Sequence, residues 1–296
     1  CPSNVDIASA KAEFLYQYHK NNPPSFSDKL FAKSTYYNKL ASRFPRFTNS
    51  LFANTITSNL IKYFSGIALK RNLPLISSKS FTNGIQDIIF QQDSYIKEVF
   101  LFIDEFSNYL DAEIAEDAYI LLTKLGYKVK IIDALDSGRA LLSKGFLKEA
   151  KELANYNIEK LNGKICESSP LIGIEPSAIL SFRDEYLRLA NDKVAAKTIA
   201  ESTFMIEEFL ASEIELGNIR PEQFTLEEKT IKIHTHCHQK ALSNQKVTFD
   251  ILNLPLNYKP TIIPSGCCGM AGSFGFEKDK YEVSMQIGEL KLFPAV

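Results

Sequence analysis

Cys267 and Cys268 are adjacent in PSGCCGMAGSFG, residues 264–275 of a 296-residue chain. A disulfide between neighbours needs a strained eight-membered ring, so two thiols beside a glycine are better suited to holding a metal or an inorganic cluster. Thirty residues earlier, HTHCHQK supplies Cys237 together with His234, His236 and His238, three of the four histidines in the chain. Thiolates, with or without imidazole, are the ligand types of zinc and of iron–sulfur centres. Gly266, Gly269, Gly272 and Gly275 suit a loop that packs closely around such a body and donates N–H groups to sulfur. The plainer alternative is that the cysteines are small buried apolar residues and the histidines are solvated. In a strand, residues two apart share a face, so the histidines would lie together with Cys237 pointing away; a turn beginning at His236 would relieve that conflict.

The surrounding elements must bring these residues together. Residues 98–106, EVFLFIDEF, read as a buried strand; 114–126 as a helix closed by glycine; 127–135 as a second strand; 142–161 as a second helix; and 169–177 as a third strand. This alternation predicts a parallel, doubly wound sheet. A second unit follows: a strand at 230–238, a helix at 247–254, a strand at 258–266 running into CCG, and a closing helix at 281–293. Asp136-Ser137-Gly138 in the first unit aligns with Cys267-Cys268-Gly269 in the second, so the two read as diverged copies, the first without thiols. Ligands in open α/β folds gather beyond the carboxyl ends of the strands, which places Cys237 beside Cys267 and Cys268.

The fold expected is therefore α/β: two parallel-sheet units behind a helical, irregular N-terminal region. Its parts are 1–95, helical, with helices read at 4–20 and 58–69; 96–190, the first unit; 191–228, a helical connector; and 229–296, the second unit. The second unit stops at LFPAV, where its counterpart continues into a strand and loop, so the sequence is expected to be cut short there.

The net charge is -1 with acids and bases read as mixed, which excludes a nucleic-acid role, and no apolar run is long enough for a membrane span. Five cysteines, an odd and sparse count, do not form a disulfide framework and point to a reducing, cytoplasmic setting. No phosphate-cradling or dinucleotide-binding glycine motif is present.

The motifs resemble a known family. Cys237 followed by Cys267-Cys268-Gly269 is similar to the cysteine-rich CCG domain of the heterodisulfide reductase B protein and of the glycolate oxidase iron–sulfur subunit. HCHQKAL, SGCCGMAGSFG and IGELKLFPAV, with LLSKGFLKEA and IGIEPSAILSFRDEY, look like the C-terminal iron–sulfur half of FAD-linked oxidases similar to D-lactate and D-2-hydroxyglutarate dehydrogenases. The likeness covers most of residues 98–296.

The resemblance implies an electron-transfer module with an iron–sulfur cluster, of 4Fe–4S type, on Cys237, Cys267 and Cys268. It also implies an FAD domain and ferredoxin-type domains upstream in the same polypeptide, a small 2-hydroxy acid as substrate and a separate electron acceptor. The fragment alone would then be inactive. Cys1-Pro2 matches the end of a ferredoxin motif, making Cys1 a free thiol. The sequence departs from the pattern at Asp136-Ser137-Gly138-Arg139, where CCGR is usual, and at Ala178, where relatives often carry cysteine. Arg139 is a candidate for binding a substrate carboxylate or offsetting cluster charge, as is Lys240. Cys166 reads as a loop thiol, and Glu175, Asp184 and Glu185 as charges near the cleft. Two other readings stand beside this one: a zinc or iron site of Cys and His acting as a Lewis acid, and a docking scaffold without catalysis.

Overall fold

The computed structural model describes residues 6–88, 94–132 and 136–296, so Cys1 and the end of the strand read at 127–135 lie outside the described residues. Asp6 starts the first helix: its carboxylate accepts the Ser9 N–H at 3.0 Å, and α1 (Ile7–Asn21) follows. Ser25 caps α2 (Phe26–Ala32) in the same way. After α3 (Ser34–Ala41), Pro45 opens α4 (Pro45–Ala53), where a missing N–H goes unnoticed. Asn54 caps α5 (Thr55–Ser65), which ends on Gly66 in the left-handed conformation. A single turn, α6 (Phe81–Gly84), completes the helical N-terminal region.

The first sheet is parallel, in the order β2-β1-β3-β4. Its strands are β1 (Glu98–Phe102), β2 (Lys128–Ile131), β3 (Leu171–Gly173) and β4 (Thr203–Met205). α7 (Glu105–Tyr109) and α8 (Ala112–Lys124) join β1 to β2, and α9 (Arg139–Ser143) and α10 (Leu147–Leu161) join β2 to β3. α11 (Pro176–Ile179), α12 (Glu185–Leu189) and α13 (Lys193–Glu201) lead to β4, and α14 (Ile206–Glu215) leaves it. Val99, Leu101 and Ile103 are sealed against Tyr119, Leu122, Tyr127 and Phe209 on one side of the sheet. Phe102 and Leu171 pack with Ile158, Ile179 and Phe182 on the other. Both faces are covered, as a parallel sheet requires.

The second unit comprises β5 (Lys229–Ile233), α15 (Cys237–Leu242), α16 (Lys246–Leu252), β6 (Tyr258–Ile262), α17 (Tyr281–Glu289) and α18 (Leu292–Ala295), with β5 and β6 parallel. It leans on the first through α16 against α14 and α15 against residues 176–183.

The α/β architecture and the helical N-terminal region are those expected from the sequence, while several bounds differ: the strands read at 98–106, 169–177 and 258–266 end at Phe102, Gly173 and Ile262, and the helix read at 281–293 is broken between α17 and α18. β4 falls in the stretch read as a helical connector, because three residues carry too little periodicity to register. The strand read at 230–238 stops at Ile233, and Cys237 is already helical. The helix read at 142–161 breaks at Lys144–Phe146, between α9 and α10. No helix among the described residues is long and apolar enough to cross a membrane.

That break carries the main tie between regions. Lys144 is 6% exposed, and its Nζ bonds Asp28 Oδ1 of α2 at 3.0 Å and Glu277 Oε1 at 2.8 Å. A buried ammonium is tolerated only with such partners. The segment after α5 pairs with the same stretch as Glu277: Ala68 N–H donates to Phe276 O, and Lys278 N–H to Gly66 O. Both carboxylates of the Lys144 junction keep about 30% of their side-chain surface in water. Lys144→Ala is therefore expected to lower the unfolding free energy by about 2 kcal/mol, between exposed and fully buried pairs. Urea unfolding checks this, and a change under ~0.5 kcal/mol would remove Lys144 from the role.

Candidate functional site

β5 and β6 run side by side with Ile233 opposite Ile262, so the segments leaving them emerge together. From β5 the chain passes His234 and Thr235 to His236, whose Nδ1 lies 3.1 Å from the His238 N–H and caps α15. Cys237 is the first residue of that helix. From β6 the chain continues through Ile263, whose N–H donates to Ile233 O at 2.9 Å, into the cysteine pair. Cys237 thereby comes near Cys267 and Cys268, whose charges act on its thiol. All three are free thiols. Although Cys237 is exposed, nearby protein atoms first, and then those two neighbouring sulfurs, push its thiol above the ordinary value.

The loop is held from three sides. Lys240 Nζ donates to Ser265 O at 2.7 Å and to Gly266 O at 3.1 Å. His234 Nδ1 pairs with Ser265 Oγ at 2.6 Å. From the N-terminal region, Arg71 Nε donates to Gly275 O at 2.8 Å and its Nη2 to Ser284 Oγ at 2.9 Å. Gly269 donates its N–H to Cys267 Sγ at 3.3 Å. Its φ is +85°, and a Cβ there would lie 2.1 Å from Ser284 O. Gly266, by contrast, has open space around it.

The histidines divide. The His236 and His238 rings stack, with centroids 5.6 Å apart. Surrounding protein atoms first, and then the Arg139 guanidinium of the first unit, lower both, His238 to about 3. His238 is thus neutral at pH 7; the Arg139 charge acts on this pair, while His234 is bonded to the cysteine loop. Arg139 is itself ion-paired with Glu185, and Lys240 is engaged by carbonyl oxygens. Cys166 lies at the entry end of β3, away from the strand ends that carry the site. Its exposed thiol is lowered to about 7 by Ser168 and Ser169.

The matching turn of the first unit is closed by a polar network that sequence reading did not find. Glu105, 2% exposed, accepts Ser137 N–H at 2.7 Å and Ser137 Oγ–H at 2.8 Å. Tyr186 OH donates to Ser137 O at 2.9 Å, and Asn157 Nδ2 donates to Asp136 O and to Tyr186 OH. Burial first, then the nearby Asp104 carboxylate, pushes Glu105 up to about 8; burial also lifts Asp104 and Asp136 to about 6 and raises Glu175. The available signal was the Asp104-Glu105 pair at the exit of a strand, in the crevice where β2 and β3 flank β1. Arg71 gave no signal, lying 204 residues from Gly275.

The donor chemistry of the second turn suits a thiophilic metal or cluster: Cys267 and Cys268 with Cys237 nearby, and an amide already on the Cys267 sulfur. The ligand set is not closed, since among the described residues no group of three or more His, Cys, Asp or Glu is arranged to hold a metal ion.

Comparison with known proteins extends the likeness along the whole chain. The D-2-hydroxyglutarate dehydrogenase of Haemophilus influenzae is 26% identical over 302 residues, 97% of this chain and 29% of that protein. Its namesake in Escherichia coli K12 is 26% identical over 309 residues, 100% of this chain and 29% of that protein. The C subunit of the anaerobic glycerol-3-phosphate dehydrogenase of Escherichia coli K12 is 25% identical over 292 residues, 97% of this chain and 72% of that protein. The chain thus spans 29% of the length of these two D-2-hydroxyglutarate dehydrogenases. No family model and no solved structure matches.

Two outcomes follow from the turns. Gly269→Ala is expected to cost more than about 2 kcal/mol, from the positive φ and the clash with Ser284 O, while Gly266→Ala stays within ~0.5 kcal/mol; paired denaturation curves read both. Glu105 binds its proton more tightly folded than unfolded, so its contribution is full below about pH 4.5 and is lost as pH rises toward about 8. Stability therefore falls across that window, and Glu105→Gln should flatten the fall by at least ~1 kcal/mol in denaturation at pH 5 and pH 8.

Proposed function

We propose that this chain is the iron–sulfur electron-transfer part of a larger, flavin-dependent D-2-hydroxy-acid dehydrogenase. Cys237, Cys267 and Cys268 would hold the cluster. The observation that carries this reading is the proximity of three free thiols at the exits of two paired parallel strands. The names of the relatives, two dehydrogenases and part of a third, agree with it.

A 4Fe–4S cluster bound there supplies one-electron transfer. The residues of the chain set its surroundings. The Gly269 N–H on Cys267 Sγ favours negative sulfur, as does the Lys240 ammonium near Cys237. Arg71, Lys240 and His234 fix the loop so that the thiols stay together. Gly266 gives the turn before them room. Arg139, already paired with Glu185, acts through its charge on His236 and His238 and not as a direct ligand. Oxidation of the small 2-hydroxy acid belongs to the flavin in the remainder of the dehydrogenase, and a separate acceptor takes the electrons. A cytoplasmic setting keeps such thiols reduced.

A zinc site rests on a different observation. The His236 and His238 rings, on either side of Cys237 in sequence, stack with centroids 5.6 Å apart, and neutral imidazole is a zinc ligand. In that reading the metal is a Lewis acid for the substrate carboxylate or hydroxyl.

Metal and acid-labile sulfide analysis of anaerobically purified chain, with and without Cys237→Ser, separates the readings. Iron with matching sulfide, lost in the variant, is the expected result. Stoichiometric zinc without sulfide would move the assignment to the Lewis-acid site. Neither metal, together with full activity of the larger protein carrying Cys267→Ser, would leave only a docking scaffold.

A further inference from the structure

α5 is turned inside out. Its buried positions are Ser58, Lys62 and Ser65, whereas Ile56, Leu60, Tyr63 and Phe64 face solvent, Ile56 at 80% exposure. Positions 56, 60, 63 and 64 follow the one-face helical spacing, so the apolar stripe that normally seeks the core points outward. The polar side is already in use: Lys62 Nζ donates to Leu69 O at 3.1 Å and Ser27 Oγ to Ser65 O at 2.8 Å. α4 is tied to α5 by Thr57 Oγ1 on Leu51 O, and to α3 by Thr48 Oγ1 on Ala41 O. Phe44 and Phe47, at the start of α4, are 69% and 66% exposed.

The charge of this region corrects the reading of acids and bases as evenly mixed. Between Asp28 and Asp87 the chain has nine Lys or Arg and no Asp or Glu. Lys33, Lys39, Arg43 and Arg46 are exposed among the outward aromatic residues. A surface with rigid aromatic anchors and a single-sign basic rim complements one with an apolar centre and a carboxylate rim. The segment that follows α5 is bonded directly to residues 275–278 of the cysteine loop, so whatever covers α5 comes close to the thiols.

We propose that α3–α5 form the docking surface for the remainder of the dehydrogenase polypeptide, through an apolar patch rimmed by carboxylates. This rests on the reading of the chain as part of a larger dehydrogenase, and the two D-2-hydroxyglutarate dehydrogenases devote 71% of their length to sequence outside the matched segment. The site on α5 places that remainder beside the electron-transfer centre.

Hydrogen exchange of residues 34–65 tests it, measured in the 296-residue chain and in the complete polypeptide encoded with it. These amides exchange ~10-fold or more slowly in the complete polypeptide. Phe47→Asp with Leu60→Asp, both at solvent-facing positions, returns them to the rate of the isolated chain while iron content stays unchanged. That constancy separates docking from the cluster assignment, which fails or stands on metal analysis alone. Equal exchange rates in the two proteins overturn the proposal, as does a coding sequence with nothing beyond this chain. Equal rates with binding of the isolated chain to phosphatidylglycerol-containing vesicles, and not to pure phosphatidylcholine, would assign the face to an anionic membrane instead.

Discussion

A buried ammonium joins the parts of this molecule. Lys144 sits in the break between α9 and α10, and its two carboxylate partners come from α2 and from the loop that follows the cysteine pair. An unpaired charge in that position would be costly to desolvate, so the helical N-terminal region and the second unit must both be in place for the first unit to close. The pairing of residues 66–68 with 276–278 and the Arg71 contacts lie along the same seam. What looks in sequence like an irregular cap is therefore the frame that holds the thiol loop.

The two units show how one architecture carries different chemistry. Each runs from a strand through helices to a parallel strand and a tight turn. In the first, Ser137 at the turn is gripped by the Glu105 carboxyl group, and Asn157 and Tyr186 complete the network. In the second, the turn offers sulfur, an aligned amide and glycines in place of bulk. Where the second turn has thiols, Asp136-Ser137-Gly138 has a buried polar network bonded to the turn.

Electrostatics divide the molecule in a way its near-zero net charge conceals. Basic residues concentrate on the N-terminal helices, while buried carboxyl groups gather at the strand exits of the first sheet. Arg139 lies between, paired with Glu185, and its charge adds to desolvation in disfavouring the protonated forms of His236 and His238. The cysteine loop is thus flanked by a polar first unit on one side and by the segment leading from the outward-facing α5 on the other.

Much of this was legible in the chain. The alternation of Val99, Leu101 and Ile103 with Phe100 and Phe102, the amphipathic helices between strands and the CCG turn are local patterns with periods of two or about 3.6 residues, and local patterns survive in one dimension. Thiol chemistry, likewise, is a property of residue type. The tertiary structure alone decided that β5 ends before His234, that Cys237 lies near Cys267 while the Arg139 charge acts on the His236–His238 pair, and that Lys144 and Arg71 reach partners more than 100 residues away. β4 went unseen because three residues make less than two periods of any pattern. Parallel strand pairing and buried ion pairs are chosen by the desolvation and packing of segments far apart in sequence, and no local spacing records that choice.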